Sequence, residues 1–163
     1  MPLDFCTAVL TVAQPEDIPA LAAIDACSNS HPWREADFAA AFREGHLCLT
    51  ARDETGAVIG FAVGRALPEE AELLLIAVDP GQRRAGVGRL LLTTLEARLA
   101  AAGARAMHLE VRASNHIAQR FYAALGYTVS GRRPGYYPAG AHASMREDAI
   151  LMTRSLVDVG ASS

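Results

Sequence analysis

Residues 72–103 read ELLLIAVDPGQRRAGVGRLLLTTLEARLAAAG, and this stretch decides the fold. Residues 72–78 form an almost continuous apolar run, which is typical of a strand buried on both faces of a sheet. A loop follows over residues 79–86. Beyond it the apolar positions recur every four residues at Val87, Leu91, Leu95 and Leu99, with Glu96 and Arg98 off this stripe. The spacing predicts a helix that ends near Ala102, because Gly103 is a typical residue after a last helical turn.

The turn between this strand and this helix predicts an anion-binding site. Residues 83–88 read Arg-Arg-Ala-Gly-Val-Gly, and small residues let the backbone approach a ligand. The unpaired N–H groups of a first helical turn bind phosphate or pyrophosphate with help from the helix dipole, and they need no lysine. Arg83 and Arg84 can add positive charge at the rim. The alternative is a glycine-containing connection with two solvated arginines.

The chain contains no lysine, since all 15 basic residues are arginine. This absence excludes a lysine Schiff base and any Walker loop, which requires Gly-Lys-Ser/Thr. A dinucleotide-binding fingerprint fails as well, because Leu91 stands where its third glycine is required. The simplest origin of the missing lysines is a GC-rich genome that favours arginine codons, and the 32 alanines point the same way.

The composition indicates one soluble globular domain. Of the 163 residues 51% are hydrophobic and 20% are charged, which predicts a domain over residues 1–157 and a frayed tail over 158–163. The net charge of −3 gives no sign of nucleic-acid binding. Neither a membrane span nor a signal peptide is recognisable. Cys6, Cys27 and Cys48 lack metal-ligand spacing, so we expect buried, reduced thiols, no metal and a cytoplasmic protein.

The remaining pattern predicts a mixed α/β domain rather than a repeating parallel sheet. We expect strands at residues 8–12, 46–52, 58–67, 107–111, from 127 onward and at 149–154. We expect helices from Pro15 (with Ile18, Leu21 and Ile24 inward), over residues 35–43, and over 117–125. The second and third strands form a hairpin through the polar turn 53–56, and residues 133–143 form a loop rich in Gly, Pro and Tyr.

Two further segments make the chain similar to a known family. Val-Asp-Pro followed by Arg/Gln-x-x-Gly-x-Gly and an amphipathic helix resembles the acetyl-CoA-binding segment of the GNAT N-acetyltransferases, and Asn115 with residues 121–127 resembles the second half of that family's signature. Within the family the chain resembles the RimI-type enzymes, which acetylate the N-terminal alanine of a small-subunit ribosomal protein. The stretches that carry this resemblance are residues 31–33, 76–80, 109–115, 136–138 and 146–152.

The resemblance implies the GNAT acyl-CoA N-acyltransferase fold, with a central mixed, mostly antiparallel sheet flanked by helices. It implies acetyl-CoA as co-substrate and direct acetyl transfer to the N-terminal α-amine of a ribosomal protein. It also implies a set of cofactor-binding residues, which are Ile76, Ala77, Val78, Arg83, Arg84, Ala85, Gly86, Val87, Gly88, Arg89, Asn115 and Tyr122.

Direct transfer requires a general base and a general acid. Alternation in the strand 109–111 puts Glu110 on the face opposite its apolar neighbours, and the resemblance implies that Glu110 is the base, acting through a water. Tyr122 follows Asn115 by about two helical turns, and the resemblance implies that it protonates the CoA sulfur. The alternatives are an exposed strand carboxylate, a helix N-cap for Asn115, and packing against Phe121 for Tyr122.

On the acceptor side, the resemblance implies that Trp33 and Tyr137 form the binding walls. Asp148, Glu147 or Glu35 could hold a basic second residue of the acceptor. The alternative for residues 136–138 is a surface turn.

Three smaller expectations concern the same strands. The oxyanion donor is expected to be a backbone N–H near Ala77 or Val78, where the strands of the family separate. His108 shares a strand with Glu110, and we expect it to be solvated or locally bonded. Leu75 is apolar where some RimI-type sequences carry a polar residue, which bears on the acceptor.

Two rival functions remain. One is a GNAT enzyme that acetylates a small amine such as a polyamine or an antibiotic, and the other is a domain that binds CoA without catalysis. The presence of both Glu110 and Tyr122 argues against the second rival, because CoA binding requires neither residue.

Overall fold

The computed structural model describes residues 7–82, 86–137 and 146–157. Its strands are β1 (Val9–Val12), β2 (Leu47–Arg52), β3 (Val58–Leu67), β4 (Glu70–Val78), β5 (Ala106–Arg112), β6 (Thr128–Tyr137) and β7 (Glu147–Ser155). Its helices are α1 (Ile18–Ser28), α2 (Glu35–Arg43), α3 (Val87–Ala101) and α4 (His116–Ala124). The strands form one sheet in the order β1-β2-β3-β4-β5-β7-β6, in which only β4 and β5 are parallel neighbours. The predicted mixed, mostly antiparallel sheet with flanking helices is therefore confirmed.

Helices cover the sheet on two faces. The predicted stripe of α3 is confirmed, because Leu91 and Leu95 are fully buried in a core that this helix shares with one face of the sheet. On the other face Leu21 of α1 and Phe38 of α2 pack around Phe61 of β3, and the Phe38 and Phe61 rings meet edge to face at 5.4 Å. Burial of this apolar surface is the main force that holds the layers together.

Glu96 lies off the apolar stripe of α3 and is nevertheless only 4% exposed. Its Oε2 accepts a hydrogen bond of 2.7 Å from the Tyr127 hydroxyl, and its Oε1 lies 2.8 Å from Nη1 of Arg154 on β7. A buried carboxylate is tolerated only when it is paired in this way. The network fastens α3 to the start of β6 and to β7.

Two expectations about the edges of the molecule are wrong. Residues 133–137 were expected in a loop but continue β6, while residues 138–143 lie outside the described ranges. β6 is the edge strand, where Pro and Gly are tolerated, and the register shifts between Arg133 and Tyr137 around Gly135, whose φ is +61°.

Cys27 is exposed rather than buried, whereas Cys48 is buried and burial raises the pKa of its thiol to about 12. Cys6 lies outside the described residues.

β4 contains a bulge that determines which way its side chains point. Val63 of β3 pairs with Leu75 and Gly64 pairs with Leu73, so Leu74 is one residue more than β3 can match. The bulge inverts the alternation of β4. Leu73 before it and Ile76 after it both pack on the α3 side, while Leu74 and Leu75 pack on the α1–α2 side.

The strand was expected to be buried on both faces, but Leu74, Leu75 and Ile76 are only partly buried. In the part of the chain that the structure describes, no helix is long and apolar enough to cross a membrane.

Candidate active site

A cleft opens in the middle of the sheet because β4 and β5 separate. Within the described residues the two strands pair only at Ala71 with Met107 and at Glu72 with His108. The later residues of both strands diverge, and the expected separation of these strands is confirmed. Parallel strands that diverge leave main-chain groups facing the space between them, which suits a ligand that needs backbone hydrogen bonds.

The direction of the backbone at the end of β4 follows from one hydrogen bond. Asp79 N donates to Ile59 O of β3 at 2.8 Å, and Ala77 pairs with β3 two residues earlier. Since backbone groups alternate in direction along a strand, the N–H groups of Ile76 and Val78 point the other way, toward β5. The sequence predicted that the oxyanion donor is a backbone N–H near Ala77 or Val78. Because the Ala77 N–H faces β3, the candidates are the N–H groups of Ile76 and Val78.

The first turn of α3 presents further backbone donors at the end of this cleft. Gly86 is the N-cap, with φ +77° and open space where a Cβ would lie. Leu90 N makes the first helical hydrogen bond, to Gly86 O at 3.0 Å, so the N–H groups of Val87, Gly88 and Arg89 lack a helical acceptor. No side chain of the described residues caps this end. The expected residues Arg83, Arg84 and Ala85 lie outside the described ranges.

Gly88 shows how closely this turn approaches its neighbours. A Cβ placed on Gly88 would lie 3.5 Å from the Phe121 ring of α4 and 3.7 Å from Cγ2 of Val78. The beginning of α3, the end of β4 and the middle of α4 therefore meet at one point. The structure thus brings two of the predicted cofactor residues, Gly88 and Val78, close together beside Phe121.

Glu110 projects from β5 on the face opposite α3. Its neighbours Leu109 and Val111 are buried in the α3 core, while the Glu110 side chain is 29% exposed, so the predicted alternation is confirmed. Its Oε1 lies 3.5 Å from Nη2 of Arg133 on β6. The carboxylate is thus accessible to solvent on the face of the sheet opposite α3, as a general base must be.

Tyr122 lies almost completely inside, with 8% of its surface exposed. Its ring meets Phe121 at 5.3 Å and Tyr127 at 5.9 Å, both edge to face. Burial raises the pKa of its phenol, and among the described residues the hydroxyl has no hydrogen-bond partner. A phenol that keeps its proton at neutral pH and has no internal partner can donate that proton to a ligand.

Asn115 is the N-cap of α4, as one of the sequence interpretations had it. Its Oδ1 accepts a hydrogen bond of 3.1 Å from Ala118 N. Its amide N–H₂ group and the second lone pair of Oδ1 remain available for a contact with a cofactor.

Trp33 is held in the connection between α1 and α2. Its backbone N donates to Oδ2 of Asp25 at 2.8 Å, and its ring meets Phe38 edge to face at 5.2 Å. Asp25 is completely buried, and burial raises the pKa of its carboxyl. The loop that carries Trp33 is therefore fastened from inside the protein.

Tyr137, at the end of β6, is electrostatically coupled to both expected catalytic residues. Burial raises the pKa of its phenol to about 12, and the negative charge of Glu110 adds to this effect. Tyr137 in turn contributes to the raised pKa of Tyr122. Sequence reasoning on each residue alone did not establish this coupling.

Two of the three carboxylates considered for acceptor recognition already accept hydrogen bonds from other groups of the protein. Glu147 accepts a hydrogen bond of 2.6 Å from Ser114 N, and Ser114 holds the pKa of this carboxyl below its usual range. Asp148 accepts from Gly135 N at 2.8 Å and from Arg132 at 2.6 Å, which lowers its pKa. The third acid, Glu35, is exposed in the first turn of α2.

His108 and Leu75 lie close to residues of their own surroundings. Nε2 of His108 lies 3.5 Å from Oε2 of Glu70, but it is buried and makes no hydrogen bond within the described residues, so the expectation of a solvated or locally bonded His108 is wrong. Leu75 packs on the α1–α2 core. Within the described residues, no group of three or more His, Cys, Asp and Glu side chains could hold a metal ion.

Sequence reasoning missed Arg112. This residue follows Glu110 by two positions in β5 and therefore lies on the same face of the sheet. Its guanidinium stacks 4.5 Å above the Tyr137 ring and reaches Glu147 and His31. The spacing of two was available in the sequence, but the three partners come from distant segments.

Comparison with known proteins places this geometry in context. The sequence model of the Acetyltransferase (GNAT) family matches residues 17–127. The [ribosomal protein bS18]-alanine N-acetyltransferase of Escherichia coli (strain K12) is 38% identical over 136 residues, which cover 83% of this chain and 89% of that protein. The crystal structure of the ribosomal-protein-S18-alanine N-acetyltransferase from Escherichia coli superimposes with a TM-score of 0.84 at 34% identity, covering 96% and 99% of the two chains.

A more distant structure contains a bound ligand. A phosphinothricin acetyltransferase from Sinorhizobium meliloti, in complex with AcCoA, superimposes with a TM-score of 0.77 at 26% identity and covers 96% of this chain and 92% of that one.

Proposed function

The chain belongs to the GNAT acetyltransferase family, and from that membership we propose that it transfers the acetyl group of acetyl-CoA to the N-terminal α-amine of a protein. The acceptor is the N-terminal alanine of a small-subunit ribosomal protein, as it is for the bS18-alanine acetyltransferases to which the chain is similar. One observation carries the proposal. The separation of β4 from β5 opens a cleft that has backbone donors at one end and Glu110 on its acceptor side.

The donor half of the reaction uses main-chain groups. The pyrophosphate of acetyl-CoA binds the N–H groups of Val87, Gly88 and Arg89, where the helix dipole favours negative charge. Ile76 or Val78 donates its N–H to the thioester oxygen and stabilises the oxyanion that forms on attack. No lysine is needed, which fits a chain that has none.

The acceptor half uses side chains on the opposite face. The acceptor enters between Trp33 and Tyr137, and Glu110 removes a proton from its ammonium group through a water. The free amine attacks the thioester carbonyl, the nitrogen of the tetrahedral intermediate loses its second proton to solvent, and the C–S bond breaks to give the amide. Tyr122 gives its proton to the departing thiolate, so that CoA leaves as the thiol.

An acceptor screen tests the proposal. Thiol release from acetyl-CoA is measured with peptides that begin with alanine and carry a ribosomal-protein sequence, and with free lysine, polyamines, aminoglycosides and phosphinothricin. We expect release with the peptides, blocked when the peptide N-terminus is already acetylated. Release with the small amines alone would refute the protein acceptor. Binding of acetyl-CoA without release from any acceptor would favour the non-catalytic alternative.

A further inference from the structure

Arg112 joins three separate segments at the end of β5. Its Nη1 lies 3.3 Å from Oε2 of Glu147 on β7, and its Nη2 lies 3.0 Å from Nδ1 of His31 in the connection between α1 and α2. The centre of the guanidinium lies 4.5 Å from the Tyr137 ring of β6. A planar guanidinium can serve three partners of this kind at once, which a lysine ammonium cannot do with the same geometry.

Two of these partners belong to the walls of the proposed acceptor groove. Tyr137 is one wall itself, and His31 precedes the other wall, Trp33, by two residues. The Arg112 side chain is only 22% exposed, so its contacts are shielded from solvent more than those of a surface ion pair. The contacts therefore connect the loop that carries Trp33 to the strand that carries Tyr137.

We propose that Arg112 is a positioning residue that holds the Trp33 loop and Tyr137 at the separation that an acceptor peptide requires. The proposal rests on the proposed function, because it assigns the purpose of the groove. Arg112 takes no part in the proton transfers, which belong to Glu110 and Tyr122. Its loss should therefore weaken acceptor binding and leave the chemical step largely intact.

The link to His31 requires a hydrogen-bond acceptor at this position. An arginine only donates hydrogen bonds, so Nδ1 of His31 must accept, and Ser30 Oγ also lies 3.2 Å from this nitrogen. A side chain without an acceptor at this point cannot form the link.

Other charged groups surround this link and act on it. Glu147 faces it from β7 and partly neutralises Arg112. His31 also lines an adjoining cleft of about 500 Å³, whose charged or titratable groups are Asp37, Glu44 and His46. Asp37 is engaged with Arg34 and Glu44 with His46, and among the described residues Arg112 is the cation that contacts the His31 ring directly.

Trp33 provides a test that does not depend on activity, because it is the only tryptophan of the chain. Quenching of its fluorescence by acrylamide reports how well the loop is shielded. We expect the quenching constant to increase by a factor of about two in Arg112→Met, because the loop loses its tie to β5 and β6. Arg52→Gln is the matched control: Arg52 of β2 forms a 2.7 Å ion pair with Asp17 at the N-terminus of α1, and its side chain is 25% exposed. It should leave the quenching constant unchanged.

Steady-state kinetics with an acceptor peptide then separate positioning from chemistry. We expect Arg112→Met to raise the peptide KM about tenfold, which corresponds to about 1.4 kcal/mol of lost binding, and to change kcat less than twofold. Arg112→Lys should recover only a small part of the loss. An equal loss of kcat at unchanged KM, or no change in either KM or quenching, would overturn the proposal.

Two variants of His31 test the link, since the Asn Oδ1 of His31→Asn can accept from Arg112 and the side chain of His31→Leu cannot. We expect the peptide KM of His31→Leu to be at least threefold above that of His31→Asn, and equal KM values would refute the His31 link. If the wild type acetylates no peptide, the proposed function fails, while the Trp33 quenching still decides whether Arg112 holds the loop.

Discussion

Replacing Glu110 by Gln is the most direct test of the chemistry, because the structure separates its effect on catalysis from its effect on stability. A glutamine keeps the shape of the side chain but cannot take a proton. A positioned general base contributes about 10²- to 10⁴-fold, so we expect kcat at neutral pH to decrease at least tenfold, even if water supplies part of the function. The fold should tolerate the change. The one ion pair that it removes, to Arg133, is 3.5 Å long and more than half of the Arg133 side chain is exposed. Such a pair contributes at most about 1 kcal/mol to the free energy of unfolding.

The assay follows thiol release with an alanine-starting peptide between pH 6 and pH 9.5, together with acetyl-CoA affinity and the melting temperature. Affinity for acetyl-CoA should not change, because Glu110 lies on the face of β5 opposite α3. The deficit should also become smaller at high pH. An α-amine has a pKa of about 7.7–8.0 and deprotonates without help above that value. A deficit that is the same at pH 6 and pH 9.5 would refute the role of base, and so would unaltered turnover.

Four further predictions follow from particular contacts. Tyr122→Phe should slow transfer at least tenfold with little change in melting temperature, because the hydroxyl has no partner among the described residues, and full activity would return Tyr122 to a packing role. Tyr127→Phe removes the 2.7 Å hydrogen bond to Glu96 and should cost about 1.5–3 kcal/mol in urea unfolding, with acetyl-CoA affinity unchanged. Gly88→Val should weaken acetyl-CoA binding more than tenfold in calorimetry, since a Cβ already lies 3.5 Å from Phe121 and the γ-methyl groups extend into the turn. Finally, burial raises the pKa of both Tyr122 and Tyr127, so their contribution to stability is complete below pH 10 and is lost above it. The free energy of unfolding should decrease above pH 10 by about 1.4 kcal/mol per pH unit for each tyrosine, and Tyr127→Phe should lessen that slope.

Hydrophobic periodicity and turn-forming residues predicted most of the helices and strands. The hairpin of β2 and β3, the stripe of α3 and the inward and outward faces of β5 all follow from local patterns of apolar and polar residues. Gly135 and its neighbours misled the prediction, because the same residues that form loops also occur in an irregular edge strand. Whether such a segment is a loop depends on whether a neighbouring strand is available to pair with it, and β7 supplies that strand from outside the local window.

The individual candidate residues could be named from the sequence, but their grouping could not. Glu110, Tyr122 and Tyr137 lie on three different elements, and only the sheet order brings β7 beside β5 and β6 beside β7. Glu96 illustrates the same limit from the opposite side. Its position off the apolar stripe of α3 did not predict that it is buried. Burial is possible because Tyr127 and Arg154 bind its carboxylate, and these residues lie far along the chain, just before β6 and in β7.

The bulge at Leu74 determines which backbone N–H groups of β4 face the cleft. Without the extra residue, the alternation of β4 would continue unbroken from Leu73, and the backbone N–H groups now directed at the cleft would belong to different residues. Residues 73–76 are all apolar, so no change from polar to apolar marks the shift, and periodicity analysis could not locate it. The bulge places Ile76 and Val78 against the α3 core while their backbone groups face β5. One inserted residue therefore fixes which backbone N–H groups face the cleft, and it lies in the part of the sequence that looked most uniform.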